Sequence, residues 1–592
     1  SNSFAFAVPF LIMTRSRLKY VFFFLALLVS FSRVYIGVHY PGDVIVGALE
    51  GALSAGAVIA LYRWAEEGFR ERPHTTVMYM FLLVVSLFRL YYLSFGPLEL
   101  SGDEAHYWEW SRRLDLSYYS KGPMIAYLIA GSTSLFGDTL FGVRVFAVLL
   151  SLLSSIILYR LGKEMYGERV GALSALLFQV IPLFSAFGVI FTIDSPFTFF
   201  WILSLYLFWK TITSNKLQVA SEAQAENCPL LSPLAKGGIK EGWVYWILLG
   251  ISVGAGLLAK YTMAFFYVCM LCFLFSLSSR RKMLGSARPY AAMVISTVLF
   301  LPVIVWNAQH DWVTIRHTAV QAHVADGFQV SFMSLVEFIG SQLGLLTPVI
   351  CVLLLVALWK IRGKDFETAG GNGAFLFWFS APVVVFFIAK CLQGKVQPNW
   401  AMTGYITGII AFSKVFLDGW KKNGPFLRTV IILGIALSVM LTVVAHYPSK
   451  FHLPQKLDPS SRLRGWSDLA RQIQEVYEEM RGKGNVFIFS DSYHIASELA
   501  FFMKEHPVTY CVNLGRRMNQ YDLWPGFENL IHYNGIFVTI GDSGLDPRLR
   551  EAFQGCERRV LKVRDRGTVL RENSVFVCHD FRGMTKEEIR TY

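Results

Sequence analysis

LSGDEAHYWEWSRRLDLSYYSKGP, residues 100–123, directly follows an apolar run near residues 76–95. It combines the adjacent carboxylates Asp103 and Glu104 with several aromatic residues and a basic residue, Lys121. At a membrane edge, this combination suits a site that handles a lipid-linked phosphate and a sugar hydroxyl. Asp103 would act as a general base on an acceptor, and Lys121 would hold the phosphate as it leaves. The alternative is that the two carboxylates form a solvated pair in a loop.

The composition of the whole chain indicates a membrane protein. Of its 592 residues, 54% are hydrophobic and 16% are charged, whereas soluble domains usually carry about 25% charged residues. Its net charge of +13 is spread over short basic clusters between apolar segments, so we expect no nucleic-acid binding. The eight cysteines show neither metal-ligand spacing nor a disulfide framework.

Apolar segments long enough to cross about 30 Å of hydrocarbon recur through the first three quarters of the chain. We predict about 14 spans, near residues 3–13, 18–37, 44–62, 76–95, 142–160, 168–190, 195–213, 243–259, 262–278, 289–306, 333–358, 373–391, 399–416 and 428–446. Basic clusters such as Arg280–Arg288 and Lys360–Lys364 face the cytoplasm under the positive-inside rule. The segments 33–43, 96–141, 191–195, 306–332 and 391–399, and all residues after 446, then face the outside.

Beyond Tyr447 the apolar runs shorten and charged and turn residues increase. Helical periodicity at Ser467–Met480 and Ile495–Lys504 alternates with strand patterns at Asn485–Ser490, Ile536–Ile540 and Ser574–Cys578. We therefore predict an all-α polytopic membrane protein with a C-terminal extracytoplasmic α/β domain. The predicted regions are 1–66, 76–446 and 447–592.

A first cluster of polar residues, Ser32–Asp43, lies where one apolar segment ends and the next begins. Arg33 can form two hydrogen bonds to a phosphate, His39 can attack phosphorus, and Asp43 can orient the imidazole. An interfacial histidine beside a snorkelling arginine is the alternative. The segment resembles the last signature motif of the PAP2 family, the type 2 phosphatidic acid phosphatases, over about sixty residues from Ser1 to Trp64.

The PAP2 resemblance implies that His39 is the nucleophile, Asp43 its partner and Arg33 a phosphate ligand. That family also needs an upstream Lys/Arg-Pro motif and a Pro-Ser-x-His motif, and neither occurs in this sequence. We therefore expect these 592 residues to have no phosphatase activity.

Two further segments lie at the outer ends of predicted spans: Thr192–Pro196, which contains Asp194, and Gly394–Trp400. Asp194 is either a functional carboxylate or a helix N-cap that is followed by Pro196 in the first turn. Together with residues 103–123, these segments resemble the GT-C superfamily. Within it, they resemble glycosyltransferase family 39, the protein mannosyltransferases and aminoarabinose transferases (ArnT), from about Tyr79 onward.

The GT-C resemblance implies an inverting displacement on a polyprenyl-phosphate sugar, with the essential Asp at position 103. With Asp103, we take Glu104 and Asp194 as the candidate catalytic residues. Many bacterial relatives have His-Pro-Pro where this chain has Lys121-Gly122-Pro123. The resemblance therefore supports the carboxylate role of Asp103 more strongly than the phosphate-binding role of Lys121. The polar tail around Arg516 and Arg517 suggests acceptor binding or, equally, a structural network. The expected substrate-binding residues are His106, Tyr119, Lys121, Lys395, Gln397, Asn399, Trp400, Arg516 and Arg517.

The resulting hypothesis is a glycosyltransferase in the bacterial cytoplasmic membrane that acts on its outer face. Its acceptor would be a lipid A, a polysaccharide or a protein. A transporter or flippase for lipid-linked sugars and a lipid phosphatase are the alternatives. Metal dependence stays open because Asp103, Glu104 and His106 could hold a divalent cation, although no recognised ligand loop supports it.

Overall fold

The computed structural model describes residues 2–13, 16–225, 238–321, 330–363, 366, 371–451, 458–565 and 568–584. Parts of the predicted outer segment 306–332 and of the C-terminal region therefore lie outside the described residues. The chain forms two compact units, Ser1–Phe81 and Leu82–Tyr592.

The first unit is helical. It contains helices Asn2–Met13, Leu18–Tyr35 and Pro41–Glu71 and the first part of helix Pro73–Phe95. Pro41 occupies the first turn of its helix, where a missing N–H costs nothing. The Asp43 carboxylate accepts a hydrogen bond from the backbone N–H of Tyr40 at 3.1 Å and so caps the N-terminus of that helix.

Helices also make up the membrane part of the second unit. After Pro73–Phe95 they are Gly102–Ser111, Met124–Phe136, Leu140–Tyr166, Glu168–Val180, Pro182–Ala186, Asp194–Ala225, Gly238–Ala259, Phe265–Ser276, Ser278–Arg281, Ala287–Gln309, Val313–Gln321, Phe332–Leu346, Pro348–Lys360, Asn372–Trp378, Ala381–Cys391, Thr403–Asp418 and Pro425–His446. Short 3₁₀ turns at Tyr261–Ala264, Lys282–Gly285, Pro398–Ala401 and Pro448–Lys450 connect some of them.

Every predicted apolar segment lies on helical residues. Among the residues that the structure describes, seven helices are long and apolar enough to cross a membrane, or nine if each of two bent helix pairs is one span. Of the remaining predicted segments, 195–213 lies on the long helix Asp194–Ala225, and the others correspond to shorter or interrupted helices. The predicted multi-pass helical fold is therefore confirmed.

The predicted span over 333–358 is interrupted by a bend. The structure has two helices there, Phe332–Leu346 and Pro348–Lys360, with a bend of 99° between them. Pro348 cannot donate the backbone hydrogen bond that a continuous helix needs. Thr347 before it has a positive φ of 67°, so the chain turns at this residue.

The C-terminal region folds around a five-stranded sheet in the order β2-β1-β3-β5-β4. The strands are β1 (Val486–Ser490), β2 (Thr509–Cys511), β3 (Asn534–Ile540), β4 (Phe553–Asp565) and β5 (Thr568–Phe581). Strand β1 pairs in parallel with β2 and β3, and β5 pairs antiparallel with β3 and β4. Helices Trp466–Arg481 and Tyr493–Phe502 pack on one face of this sheet, and helix Pro547–Ala552 contributes to the core of the other. The predicted α/β architecture is thus confirmed.

A disulfide joins Cys556 on β4 to Cys578 on β5, which face each other in the antiparallel register. The sequence did not indicate it, because two cysteines in neighbouring strands have no distinctive spacing. Disulfides persist in oxidising compartments and are rare in the cytosol. The disulfide is therefore relevant to the question of which side of the membrane the C-terminal region occupies.

A buried ion pair between Glu104 and Arg144 joins helix Gly102–Ser111 to helix Leu140–Tyr166. Arg144 Nε lies 2.7 Å from Glu104 Oε1, and both side chains are almost fully buried. Arg144 also donates to the backbone carbonyls of Leu98 and Glu99. Glu104 accepts further hydrogen bonds from the backbone N–H groups of Ser101 and Phe191.

We predict that Arg144→Ala lowers stability by about 3–5 kcal/mol, because it leaves the Glu104 carboxylate buried without its cation. Lys210→Ala is the matched control. Lys210 pairs with Glu164 at 2.6 Å, but both side chains are partly exposed, so its loss should cost about 1 kcal/mol or less. Thermal unfolding of the detergent-purified variants measures both effects. A melting temperature for Arg144→Ala that is no lower than that of the control would contradict the prediction.

Candidate active site

A cavity of about 430 Å³ lies where several helix ends and loops of the second unit meet the C-terminal region. Its lining comes from residues 103–121, 187–194, 260, 317–321, 397–400, 493 and 517–520. The charge pattern of the sequence assigns most of these segments to the same side of the membrane. The cavity thus brings together residues that are hundreds of positions apart in the chain.

Asp103 lies in the first turn of helix Gly102–Ser111 and faces the cavity, with 55% of its side chain accessible. Tyr493 donates its hydroxyl hydrogen to Asp103 Oδ1 at 3.2 Å. Burial of the surroundings raises the pKa of Asp103, but the neighbouring His494, with smaller effects of His106 and Tyr493, brings it below the usual value. The carboxylate is therefore ionised at neutral pH and open to a ligand.

Glu104 does not line the cavity, although the sequence places it beside Asp103. Successive residues of a helix point about 100° apart, so one carboxylate faces the cavity and its neighbour faces the core. Arg144, Ser101 and Phe191 together occupy the oxygens of Glu104. This geometry favours a positioning role for Glu104 over the catalytic role expected from the sequence.

The three candidate ligands for a divalent cation do not converge. Glu104 turns into the core, while Asp103 and His106 line the cavity. Within the described ranges, no group of three or more His, Cys, Asp and Glu side chains is close enough together to hold a metal ion.

Lys121 lies in the loop between helices Gly102–Ser111 and Met124–Phe136. Tyr118 anchors this loop by stacking on Trp110, with ring centroids 4.3 Å apart. Gly122 lies so close to the carbonyl of Leu258 that a Cβ at this position would be 2.1 Å from that oxygen. Glycine at this position therefore lets the Lys121 backbone approach helix Gly238–Ala259 closely.

The ammonium group of Lys121 is partly buried, with the cations Lys260 and Arg517 and the carboxylates Asp194 and Asp103 nearby. Burial, followed by the nearby charge of Lys260, lowers the pKa of Lys121 to about 8, and Asp194 and Asp103 act in the opposite direction. In the part of the chain that the structure describes, no hydrogen-bond acceptor is assigned to its Nζ atom. Lys121 is thus poised to bind an anion that enters the cavity.

Asp194 begins helix Asp194–Ala225 and forms a buried ion pair at the wall of the cavity. Its Oδ1 accepts a hydrogen bond from Lys260 Nζ at 2.7 Å, and its Oδ2 accepts one from Asn399 at 2.7 Å. Asp194 is therefore more than a helix cap, because it fixes a lysine and an amide in the wall.

His106 and Tyr119, both expected to bind substrate, also line the cavity. Burial lowers the pKa of His106 to about 3, so its imidazole is neutral. Its Nδ1 lies 3.1 Å from the Ser497 hydroxyl. The backbone N–H of Tyr119 donates to Gln520 of the C-terminal region at 2.6 Å.

The remaining expected site residues divide into two groups. Gln397, Asn399, Trp400 and Arg517 line the cavity. Lys395 instead points to solvent, with 78% of its side chain accessible, and pairs with Glu337. Arg516 forms an ion pair with Asp522 inside the C-terminal region, which agrees with the structural network that the sequence left as an alternative.

The sequence analysis missed Lys260, His317, Tyr493 and His494. Lys260 is only 8% exposed and lies between two apolar segments, and a buried lysine of this kind is a recognised signal of function in a membrane protein. Burial lowers the pKa of His317 to about 3, so this cavity residue is neutral. Tyr493 and His494 carry no local sequence signal, because only the fold brings them to Asp103.

A second, largely apolar cavity of about 220 Å³ adjoins the first. It shares Lys121, Lys260 and Trp400 with the first cavity and continues along the rings of Phe265 and Phe386, which contact each other. We call it the apolar groove. An apolar chain in this groove would place a polar head group at Lys121.

The candidate phosphatase residues lie in the first unit, within 33–43. His39 Nδ1 is 3.9 Å from Asp43 Oδ2, and about half of each side chain is accessible. Arg33 is exposed as well. His39 and Asp43, which the PAP2 resemblance pairs, therefore lie close to each other in a loose, half-exposed contact.

Two family matches cover different parts of the chain. Residues 120–220 and 229–306 match the family described as dolichyl-phosphate-mannose-protein mannosyltransferase. Residues 1–67 match the PAP2 superfamily.

Two curated relatives extend the first match. The lipid A galacturonosyltransferase RgtD of Rhizobium johnstonii is 24% identical over 428 residues, which are 72% of this chain and 82% of that protein. The undecaprenyl phosphate-alpha-4-amino-4-deoxy-L-arabinose arabinosyl transferase of Pseudomonas aeruginosa is 28% identical over 205 residues. This second match spans about a third of each protein, 34% of this chain and 32% of the relative.

The fold also matches a solved structure. ArnT from Cupriavidus metallidurans bound to undecaprenyl phosphate superposes with a TM-score of 0.51 at 15% identity, covering 85% of this chain and 97% of that chain. The predicted resemblance is confirmed: residues 120–306 are similar to the protein mannosyltransferases, the fold is that of ArnT, and residues 1–67 match the PAP2 superfamily.

Proposed function

We propose that this chain transfers a sugar from a polyprenyl-phosphate donor to a glycolipid of the lipid A type. The observation that carries the proposal is the placement of Asp103 and Lys121 on one cavity, from which the apolar groove leads away. An ionised carboxylate can accept the proton of an acceptor hydroxyl, and an ammonium group can neutralise a departing phosphate. The groove supplies an apolar surface for the carrier chain.

In the proposed reaction, the acceptor oxygen attacks the anomeric carbon of the sugar. The bond between that carbon and the phosphate oxygen breaks, and the bonding electrons leave with the polyprenyl phosphate. Asp103 takes the hydroxyl proton as the new bond forms. Because attack and departure occur on opposite faces of the sugar, the product has inverted anomeric configuration.

The phosphate would lie between the two lysines of the cavity wall. Within the described residues Lys121 pairs with no carboxylate, whereas Lys260 is already held by Asp194 at 2.7 Å. As the phosphate leaves it gains negative charge, so the attraction to Lys121 increases in the transition state. Interactions that strengthen in this way accelerate the chemical step.

The acceptor would enter from the side of the C-terminal region. Arg517, Asn519 and Gln520 line this part of the cavity and offer a cation and two amides. These groups suit the phosphates and hydroxyls of a glycolipid head group. The likeness to a lipid A galacturonosyltransferase supports this acceptor class. Transfer to a polysaccharide or a protein is tested by offering those acceptors in place of lipid A.

We infer that the cavity and the C-terminal region face the extracytoplasmic side of the bacterial cytoplasmic membrane. The basic clusters predict this orientation. The Cys556–Cys578 disulfide supports it independently, because such bonds are rare in the cytosol.

We predict that Asp103→Asn lowers sugar transfer at least about 100-fold, since general base catalysis typically contributes that much or more. The amide keeps the shape of the side chain but accepts no proton at neutral pH. Transfer from a purified polyprenyl-phosphate sugar to a lipid A acceptor, followed by mass spectrometry, measures the effect. Near wild-type turnover by a correctly folded Asp103→Asn variant would refute the role.

Lys121→Ala should weaken carrier binding by about 1.5–3 kcal/mol, the usual contribution of a charge-assisted hydrogen bond. Because the pKa of Lys121 is about 8 in the empty cavity, the wild-type ammonium loses its proton above that pH and kcat/KM should fall. Lys121→Arg is the matched control, since arginine keeps its charge at high pH. A kcat/KM of the wild type that stays constant to pH 10 would contradict this account.

The orientation can be tested by single-cysteine labelling of intact spheroplasts with a membrane-impermeant maleimide. All cysteines except the disulfide pair are replaced, and one cysteine is introduced at Leu116, Val508 or Lys282. Leu116 and Val508 are 43% and 48% exposed, and both should react. Lys282 lies in a basic cluster and should react only after lysis. The reverse pattern would invert the orientation.

A further inference from the structure

The C-terminal region presents two adjacent side chains to the proposed catalytic carboxylate. Tyr493 donates a hydrogen bond to Asp103 Oδ1 at 3.2 Å, and His494 Nε2 lies 3.7 Å from the same oxygen. Both residues begin helix Tyr493–Phe502, which packs against helix Gly102–Ser111. The carboxylate therefore has a phenol and an imidazole as neighbours.

The chain allows His494 to approach Asp103 because residue 102 is glycine. A Cβ built on Gly102 would lie 2.6 Å from the imidazole ring of His494. Any larger side chain at position 102 would push the imidazole away from the start of the helix. The contact is thus a close fit between backbone and ring.

His494 differs from the other histidine near Asp103. His106 is buried and neutral, with a pKa lowered to about 3 by that burial. About 46% of the His494 side chain is accessible, so it can exchange protons with water. The titratable groups beside His494 are Asp103 and His106 on helix Gly102–Ser111 and Tyr493 on its own helix. Beyond them, Arg516 acts on His106 and Arg517 acts on Tyr493.

We propose that His494 carries the proton of the acceptor hydroxyl from Asp103 to bulk water. The acceptor O–H bond breaks as the new bond to the anomeric carbon forms, and the proton passes to the Asp103 carboxylate. Neutral His494 then takes the proton on Nε2, which regenerates the carboxylate. The resulting imidazolium releases the proton to solvent.

Helix Tyr493–Phe502 would then take part in turnover through His494, in addition to lining the cavity through Tyr493. Imidazole is the side chain that ordinarily changes charge between pH 5 and 8. Only a neutral imidazole can accept a proton, so turnover should fall at acidic pH. A glutamine at position 494 fills similar space and forms hydrogen bonds, but it does not titrate.

The inference depends on the proposed glycosyl transfer, and the experiment separates the two. Transfer from a polyprenyl-phosphate sugar is measured from pH 5 to 9 for the wild type, His494→Gln, His494→Ala and His532→Gln. His532 is an exposed histidine of the same region that pairs with Asp580, so it serves as the control. No transfer by the wild type would overturn the proposed function and this inference with it.

For His494→Gln we expect kcat to fall at least about tenfold, KM to change little, and the acidic limb of the pH profile to flatten. Added imidazole should restore turnover to His494→Ala, and the rescue should follow the concentration of neutral imidazole. His532→Gln should match the wild type. Melting temperature and polyprenyl-phosphate binding show whether each variant is folded.

A His494→Gln variant with the wild-type kcat and acidic limb would overturn the inference. A lower kcat with an unchanged acidic limb and no rescue by imidazole would also overturn it, because that result assigns His494 a purely structural role. Loss of folding in His494→Ala leaves the pH profile of His494→Gln as the deciding measurement.

Discussion

The buried ion pair between Glu104 and Arg144 is the constraint on which the site depends. It fixes helix Gly102–Ser111 against helix Leu140–Tyr166, and it leaves the preceding residue, Asp103, facing the cavity. Because both charges are buried, each would be strongly destabilising without its counter-ion. The backbone N–H groups of Ser101 and Phe191 also hold the Glu104 carboxylate in place through hydrogen bonds. The proposed catalytic carboxylate owes its position to a neighbour that never meets the substrate.

The rest of the site divides between two environments. Helix ends from the membrane part supply Lys121, Lys260 and Asp194, and they lead into an apolar groove. The C-terminal region supplies Tyr493, Arg517 and Gln520 from the opposite wall. This arrangement suits a reaction between a lipid-borne donor and a polar acceptor, since the membrane part offers an apolar surface to the lipid and the C-terminal region offers polar groups to the acceptor.

Sequence patterns predicted the fold well, because long apolar runs and basic clusters constrain a membrane chain strongly. They also identified Asp103, Lys121, Asp194 and Gln397, which all line the cavity. They did not separate Asp103 from Glu104, since a one-residue difference in helix phase decides which carboxylate faces the cavity. Tyr493 and His494 could not be found, because their role follows from a tertiary contact across almost four hundred residues.

The most direct test of the account is an experimental structure of the whole chain with polyprenyl phosphate bound. We expect the phosphate within about 4 Å of Lys121 Nζ, the distance of an ion pair, and the first isoprene units against the rings of Phe265 and Phe386 in the apolar groove. A carrier phosphate bound at Arg33 and His39, with the cavity beside Asp103 empty, would contradict the account.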